Sequence, residues 1–154
     1  MKRIEVRLSL SVVAPLLDVL KALAEDLKGT PAVPPEALPQ SDPELAASWT
    51  HSLLETQQSD LGVMMALFGV DFFSEGVVYF DATNGEAIAR ACSAVRLRLR
   101  ERYLTLLGDE ALEAGDVAMD SLTEPVRKAF MCYLFLATIQ ELIIQHLDES
   151  IIES

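Results

Sequence analysis

Residues 124 to 147 form a helix-length segment that is apolar on nearly every side, set in a chain of 154 residues whose formal net charge is −12. A helix hydrophobic all round has to be buried, so this segment is expected to be the central post of an α-helical domain. Ser121 with Glu124 reads as the capping box that opens it. Its long apolar run begins at Phe130 and lasts ten residues before Gln140 and Glu141 intrude. A bilayer crossing needs roughly 20, so no membrane span is expected.

With 51% apolar residues the chain has enough hydrophobic material for one compact core, and a single domain over 1–154 is the expectation. The two cysteines, Cys92 and Cys132, each sit inside an apolar helical pattern, where a small buried thiol is the usual role. That usage fits a reducing cytoplasm. Lys2 and Arg3 ahead of Leu8 to Leu17 imitate a secretory leader, but Glu5 and Arg7 precede the apolar stretch and Asp18 and Lys21 break the pattern just after it. With 24 acidic against 12 basic residues, the chain should repel nucleic acid and anionic lipid.

Residues 3 to 8 alternate polar and apolar, as a half-buried strand does, and the one other strand-like segment is Val77 to Phe80 between Gly76 and Asp81. The two are expected to pair as a minimal ribbon. Helix one begins near Ser9 or Ser11, takes Pro15 in its first turn, and carries Val13, Leu16, Leu20, Leu23 and Leu27 on one face. Five of the seven prolines then lie between Pro31 and Pro43, so 29–42 reads as an extended connector. Its PxxP match at Pro31 to Pro34 has little specificity.

Asp42-Pro43-Glu44 starts a second helix, with Leu45, Trp49 and Leu53 along one face. Asp60 caps a short third helix through Leu61, Met64, Leu67 and Phe68 to Gly69. Thr83 with Glu86 forms a capping box for a fourth, reaching about Leu107. An acidic connector from Asp109 to Asp120 precedes the buried fifth helix. The architecture expected is mainly α: five helices, orthogonal or bundle-like, around the C-terminal one, with a two-stranded β element pairing about 3–8 with 77–80.

Arg96, Arg98, Arg100 and Arg102 are half of the eight arginines, packed into seven residues of an acidic chain. Ile88, Cys92, Val95, Leu99 and Leu106 form one helical face among them, with arginines on both flanks and Leu97 and Leu104 as a second seam on the far side. Such a helix suits a place between neighbours or between subunits, and the Leu97 and Leu104 seam suggests a homodimer. Arginine stems cover apolar surface and their heads pair with carboxylates, as Glu86 can with Arg90 at i,i+4. The sharper alternative is a site for an anion or acidic peptide, since the guanidinium fork matches carboxylate and phosphate. On the fifth helix Arg127, Thr138, Glu141 and Gln145 make a narrow polar strip. If that strip is buried, Glu141 needs an arginine partner from 96–102; otherwise it faces water.

His51 and Glu55 lie one turn apart without a second pair to complete a metal site, and no Glu-x-x-His occurs. His146 suits the negative end of the last helix. There is no Gly-x-Ser-x-Gly, no histidine near either cysteine in sequence, and no Gly-rich phosphate loop. Neither a cofactor, a metal nor a catalytic residue is expected.

From about Asp42 to Leu147 the chain resembles an uncharacterised bacterial family of small helical proteins, best represented in actinobacteria. The residues that carry this are Asp42-Pro-Glu-Leu45, Gly76-Val-Val-Tyr-Phe-Asp81 entering a helix, Arg96-Leu-Arg-Leu-Arg-Glu-Arg-Tyr-Leu104, and Tyr133-Leu-Phe-Leu-Ala-Thr-Ile-Gln-Glu141. Members tend to be encoded beside the Clp protease adaptor and a JAB-type metallopeptidase. The resemblance implies a cytosolic accessory role near regulated proteolysis or sulfur-carrier metabolism.

The leading expectation is therefore a non-catalytic interaction or adaptor protein, working by helix packing and arginine contacts to an acidic partner segment. The alternative is a sensor holding an anionic metabolite between helices four and five, with Arg98, Arg102 and Tyr133 as polar contacts. An enzyme with Glu141 as a general base of raised pKa ranks third.

Overall fold

The computed structural model describes residues 3–32, 43–105, 107–108, 111–112 and 118–148. The expectations placed on Asp42, Leu106, most of the proline connector and most of the acidic connector lie outside the described residues. The chain runs β1 (Arg3–Arg7), α1 (Leu10–Asp26), α2 (Pro43–Ala66), α3 (Val70–Glu75), β2 (Val77–Asp81), α4 (Gly85–Arg102), a 3₁₀ turn (Met119–Ser121) and α5 (Glu124–Ile143), which ends in a π turn (Ile144–Asp148). The fold is mainly α, with four long helices and an antiparallel two-stranded sheet.

The ribbon forms as the alternation predicts. Arg3 faces Asp81, Glu5 faces Tyr79 and Arg7 faces Val77, while Ile4 and Val6 turn toward the core. Gly76 enters β2 at φ +70°, and a Cβ there would lie 3.0 Å from the Leu8 carbonyl oxygen. The same close approach lets Leu8 N–H donate to the Gly76 carbonyl at 2.7 Å. At the other end of β2, Asp81 accepts from the Thr83 hydroxyl and from the N–H groups of Thr83 and Asn84. The Thr83 hydroxyl bond does most to hold the Asp81 carboxyl below its ordinary value, helped by those N–H groups and by the charge of Arg3.

Several helix boundaries depart from expectation. α2 is one unbroken helix of 24 residues. Asp60 is therefore not a cap; it lies buried in mid-helix, where Arg90 satisfies it. The short helix α3 comes directly after Gly69. α1 starts at Leu10 behind Ser9, so Pro15 falls in the second turn rather than the first. Asn84 and not Thr83 stands at the start of α4, because Thr83 is engaged with Asp81 in the preceding turn. Thr123 and not Ser121 precedes α5; the Ser121 hydroxyl donates instead to the Ala118 carbonyl inside the 3₁₀ turn.

α4 stops at Arg102, and the chain then turns Leu104 into the core, where it is 1% exposed. Leu97 stays exposed. The two leucines therefore do not form one outward seam. α5 packs on α1 and α4 through Phe130, Tyr133, Leu136, Ile139 and Ile143. It is not sheathed on all sides: Met131, Leu134 and Ile144 are exposed. By length and composition Glu124–His146 could cross a membrane, with 39% of its apolar window buried here.

Gln57 and Gln58 on α2 tie down the end of α1. Gln57 donates to the Leu27 and Thr30 carbonyls and accepts from Ala32 N–H, and Gln58 donates to the Lys28 carbonyl. These amides satisfy carbonyls that a helix end leaves without partners.

Candidate functional site

The arginine run winds around α4, and the helix sends its members to different neighbours. Arg98 turns toward α1 and is 3% exposed. Its Nη1 donates to Asp26 at 2.8 Å and its Nη2 to the Pro31 carbonyl at 3.1 Å. One turn on, Arg102 Nη2 donates to the other Asp26 oxygen at 3.0 Å. Asp26 is the last residue of α1, so two cations sit at the negative end of that helix. Arg98 Nε lies 3.5 Å from Glu101 without a hydrogen bond. These two arginines fasten α4 to α1 and to the start of the proline connector, and they do not line the α4–α5 cleft. Arg100 is half-buried.

Arg96 points the other way, toward α5. Its guanidinium carbon stands 4.4 Å from the centroid of the Tyr133 ring. Nη1 donates to Gln140 Oε1 at 2.7 Å. The amide nitrogen of Gln140 in turn donates to the Ala89 carbonyl at 2.8 Å and the Ser93 hydroxyl at 2.6 Å. Arg96 Nε is buried without an acceptor, and the side chain pairs with no carboxylate among the described residues. Tyr133 is 2% exposed and forms the floor. Above it opens a cleft of about 580 Å³ between α4 and α5, walled by Leu112, Leu134, Ala137 and Ile144 and rimmed by Glu141 and Gln145.

The polar strip of α5 faces water at Thr138 and Glu141, and Glu141 accepts from Gln145 at 3.1 Å. No arginine of 96–102 holds Glu141 among the described residues; the inward polar group is its neighbour Gln140. Arg127 is also occupied, donating to the Met119 and Leu122 carbonyls and pinning the 3₁₀ turn to α5.

A second charged cluster lies between α2 and α4. Asp60 takes a two-pronged bond from Arg90 Nε and Nη2, both at 2.9 Å, and Glu86 accepts from Nη1 at 2.9 Å. The Asp60 bonds above all raise the Arg90 pKa. The Glu86–Arg90 half is readable from i,i+4 spacing. The Asp60 half is not, since thirty residues separate the partners; a carboxylate flush with the apolar Leu61 and Met64 is the one signal.

Cys92 on α4 and Cys132 on α5 are both buried, and burial pushes each thiol from 9.0 up to about 12. They stay protonated at neutral pH and are no nucleophiles. His51 meets Glu55 at 3.0 Å on an exposed helix surface, and no group of three metal-ligating side chains exists among the described residues. His146 is exposed.

The first seventeen residues of α2 contribute nothing fully buried. Along them Trp49 is 45% exposed and Leu53 37% exposed, with Leu45 on the same face. Leu53 lines a groove whose opposite wall is Leu97 of α4. No protein-family model matches this chain, and neither a curated protein nor a solved structure gives a match.

Proposed function

We propose that this chain is a non-catalytic interaction protein whose contact surface is the apolar stripe of α2 continued by Leu97, and that its first partner is a second copy of itself. The carrying observation is the exposure of Leu53 and Leu97 across one groove, with Trp49 exposed one turn before Leu53 on α2. Tryptophan dominates the energetics of many interfaces, and an amphipathic helix laid in a groove is a standard recognition mode. The Leu97 and Leu104 seam gives way here to Leu97 with Leu53, because Leu104 serves the chain's own core. On the family resemblance, the role is that of a cytosolic accessory protein in regulated proteolysis.

With a net charge of −12 on each copy, association has to overcome repulsion and should strengthen as salt screens it. Sedimentation at low and at high salt tests this, read alongside the emission of Trp49, the chain's sole tryptophan. A dimer that grows with salt, blue-shifts Trp49 and dissociates in Leu53→Glu supports the reading. A monomer at all concentrations, with unchanged Trp49 emission, sinks the second-copy reading.

A further inference from the structure

Within the arginine run, the setting of Arg96 differs in kind from that of Arg98 and Arg102. Those two meet Asp26; Arg96 meets an aromatic face and a neutral amide. Tyr133 and Gln140 fix the plane of the guanidinium without neutralising it, and Gln140 is itself held by α4, so the group is oriented before anything binds. In a chain with twice as many acids as bases, a half-buried arginine that meets no carboxylate among the described residues is suited to receive a negative charge from outside. The cleft over it has the volume of a small-molecule site, with an apolar side formed by Leu112, Leu134, Ala137 and Ile144 and a polar side where Arg96 stands among Gln140, Glu141 and Gln145.

We infer that this cleft binds a small monocarboxylic acid with an apolar body: the carboxylate meets the Arg96 guanidinium and the body lies along Leu134, Ala137 and Ile144. This deepens the small-molecule reading of the α4–α5 cleft, moves its cationic contact from Arg98 and Arg102 to Arg96, and is independent of the interaction surface on α2. Glu141 at the rim sets the charge selectivity. Its carboxylate tolerates one negative charge held deep on Arg96 and opposes a second one near the mouth, so phosphate-like and dicarboxylic ligands are disfavoured.

The test is a titration of the full chain with hexanoate, acetate and adipate, monitored by NMR on the Arg96 Nε–H and the methyl groups of Leu134 and Ile144. Hexanoate should shift these signals saturably below about 10 mM, and acetate should bind at least about tenfold more weakly for want of an apolar body. Arg96→Gln should weaken hexanoate at least about tenfold. Ala137→Glu, which puts a carboxylate on the cleft wall that competes for Arg96 and repels the ligand, should do the same while the chain stays folded. Glu141→Gln should improve adipate more than hexanoate. No saturable shift by hexanoate would overturn the inference, as would binding that Ala137→Glu leaves unaltered or an adipate affinity equal to that for hexanoate in the unmodified chain. Since no α2 residue is touched, these results stand apart from the fate of the dimer.

Discussion

Asp26 shows how much one carboxylate can organise. It receives both Arg98 and Arg102, but the two bonds differ in worth because Arg98 has a side chain 4% exposed and Arg102 one 52% exposed. Asp26→Ala leaves a buried guanidinium with the Pro31 carbonyl as its remaining short partner among the described residues, and should cost about 3 kcal/mol. Arg102→Ala should cost no more than about 1 kcal/mol. Urea unfolding of the two variants gives the comparison, and Asp26→Ala with Arg98→Met should recover most of the first loss. The cysteines make a second prediction. Their folded thiols titrate near 12 against 9.0 for an ordinary thiol, so the unfolded chain releases protons first as pH rises. Their stabilising contribution is complete below pH 9 and is lost progressively between 9 and 12. Thermal midpoints measured from pH 8 to 11 should fall, and Cys92→Ala should flatten the decline whatever it does to the midpoint at pH 8. At this scale sequence spacing revealed Glu86 with Arg90 and the burial of both thiols. It could not reveal Asp60 with Arg90 or Arg96 on Tyr133, whose partners meet through tertiary packing.

Among the elements, the helical faces were readable and their ends were less so. Val13, Leu16, Leu20, Leu23 and Leu27 are all buried, as their spacing predicts. The break expected at Asp60 is absent because an acidic residue leading into an apolar run can cap a helix or sit within one, and Arg90 decides for the latter by satisfying the carboxylate. Local capping patterns misplace the starts of α4 and α5 for a related reason: Thr83 and Ser121 bond within the preceding turns. Two glycines test the backbone account. Gly62 lies inside α2 with nothing within 4 Å of a would-be Cβ, so Gly62→Ala should stabilise by about 0.4–1 kcal/mol. Gly76→Ala should destabilise by about 1–2 kcal/mol, because it combines φ +70° with a 3.0 Å approach to the Leu8 carbonyl. Chemical denaturation of both variants checks the opposite signs.

Over the whole molecule, the two apolar helices meet different fates. The segment expected to be sheathed on every side, α5, buries one face on α1 and α4 and leaves Met131, Leu134 and Ile144 exposed. The stripe on α2, with the same leucine spacing as a core face, stays outside through Leu45, Trp49 and Leu53. Hydropathy measures what a residue would gain by burial and is silent about whether a neighbour is available to bury it. By itself the sequence determined the mainly α class, the pairing of β1 with β2, the buried face of α1 and the i,i+4 ion pair, because each arises from local periodicity or from the few segments able to satisfy it. The tertiary structure alone decided which arginines Asp26 consumes, which one is left over Tyr133, and which apolar stripes face solvent. Those depend on distances between residues tens of positions apart, which the packing of whole helices sets.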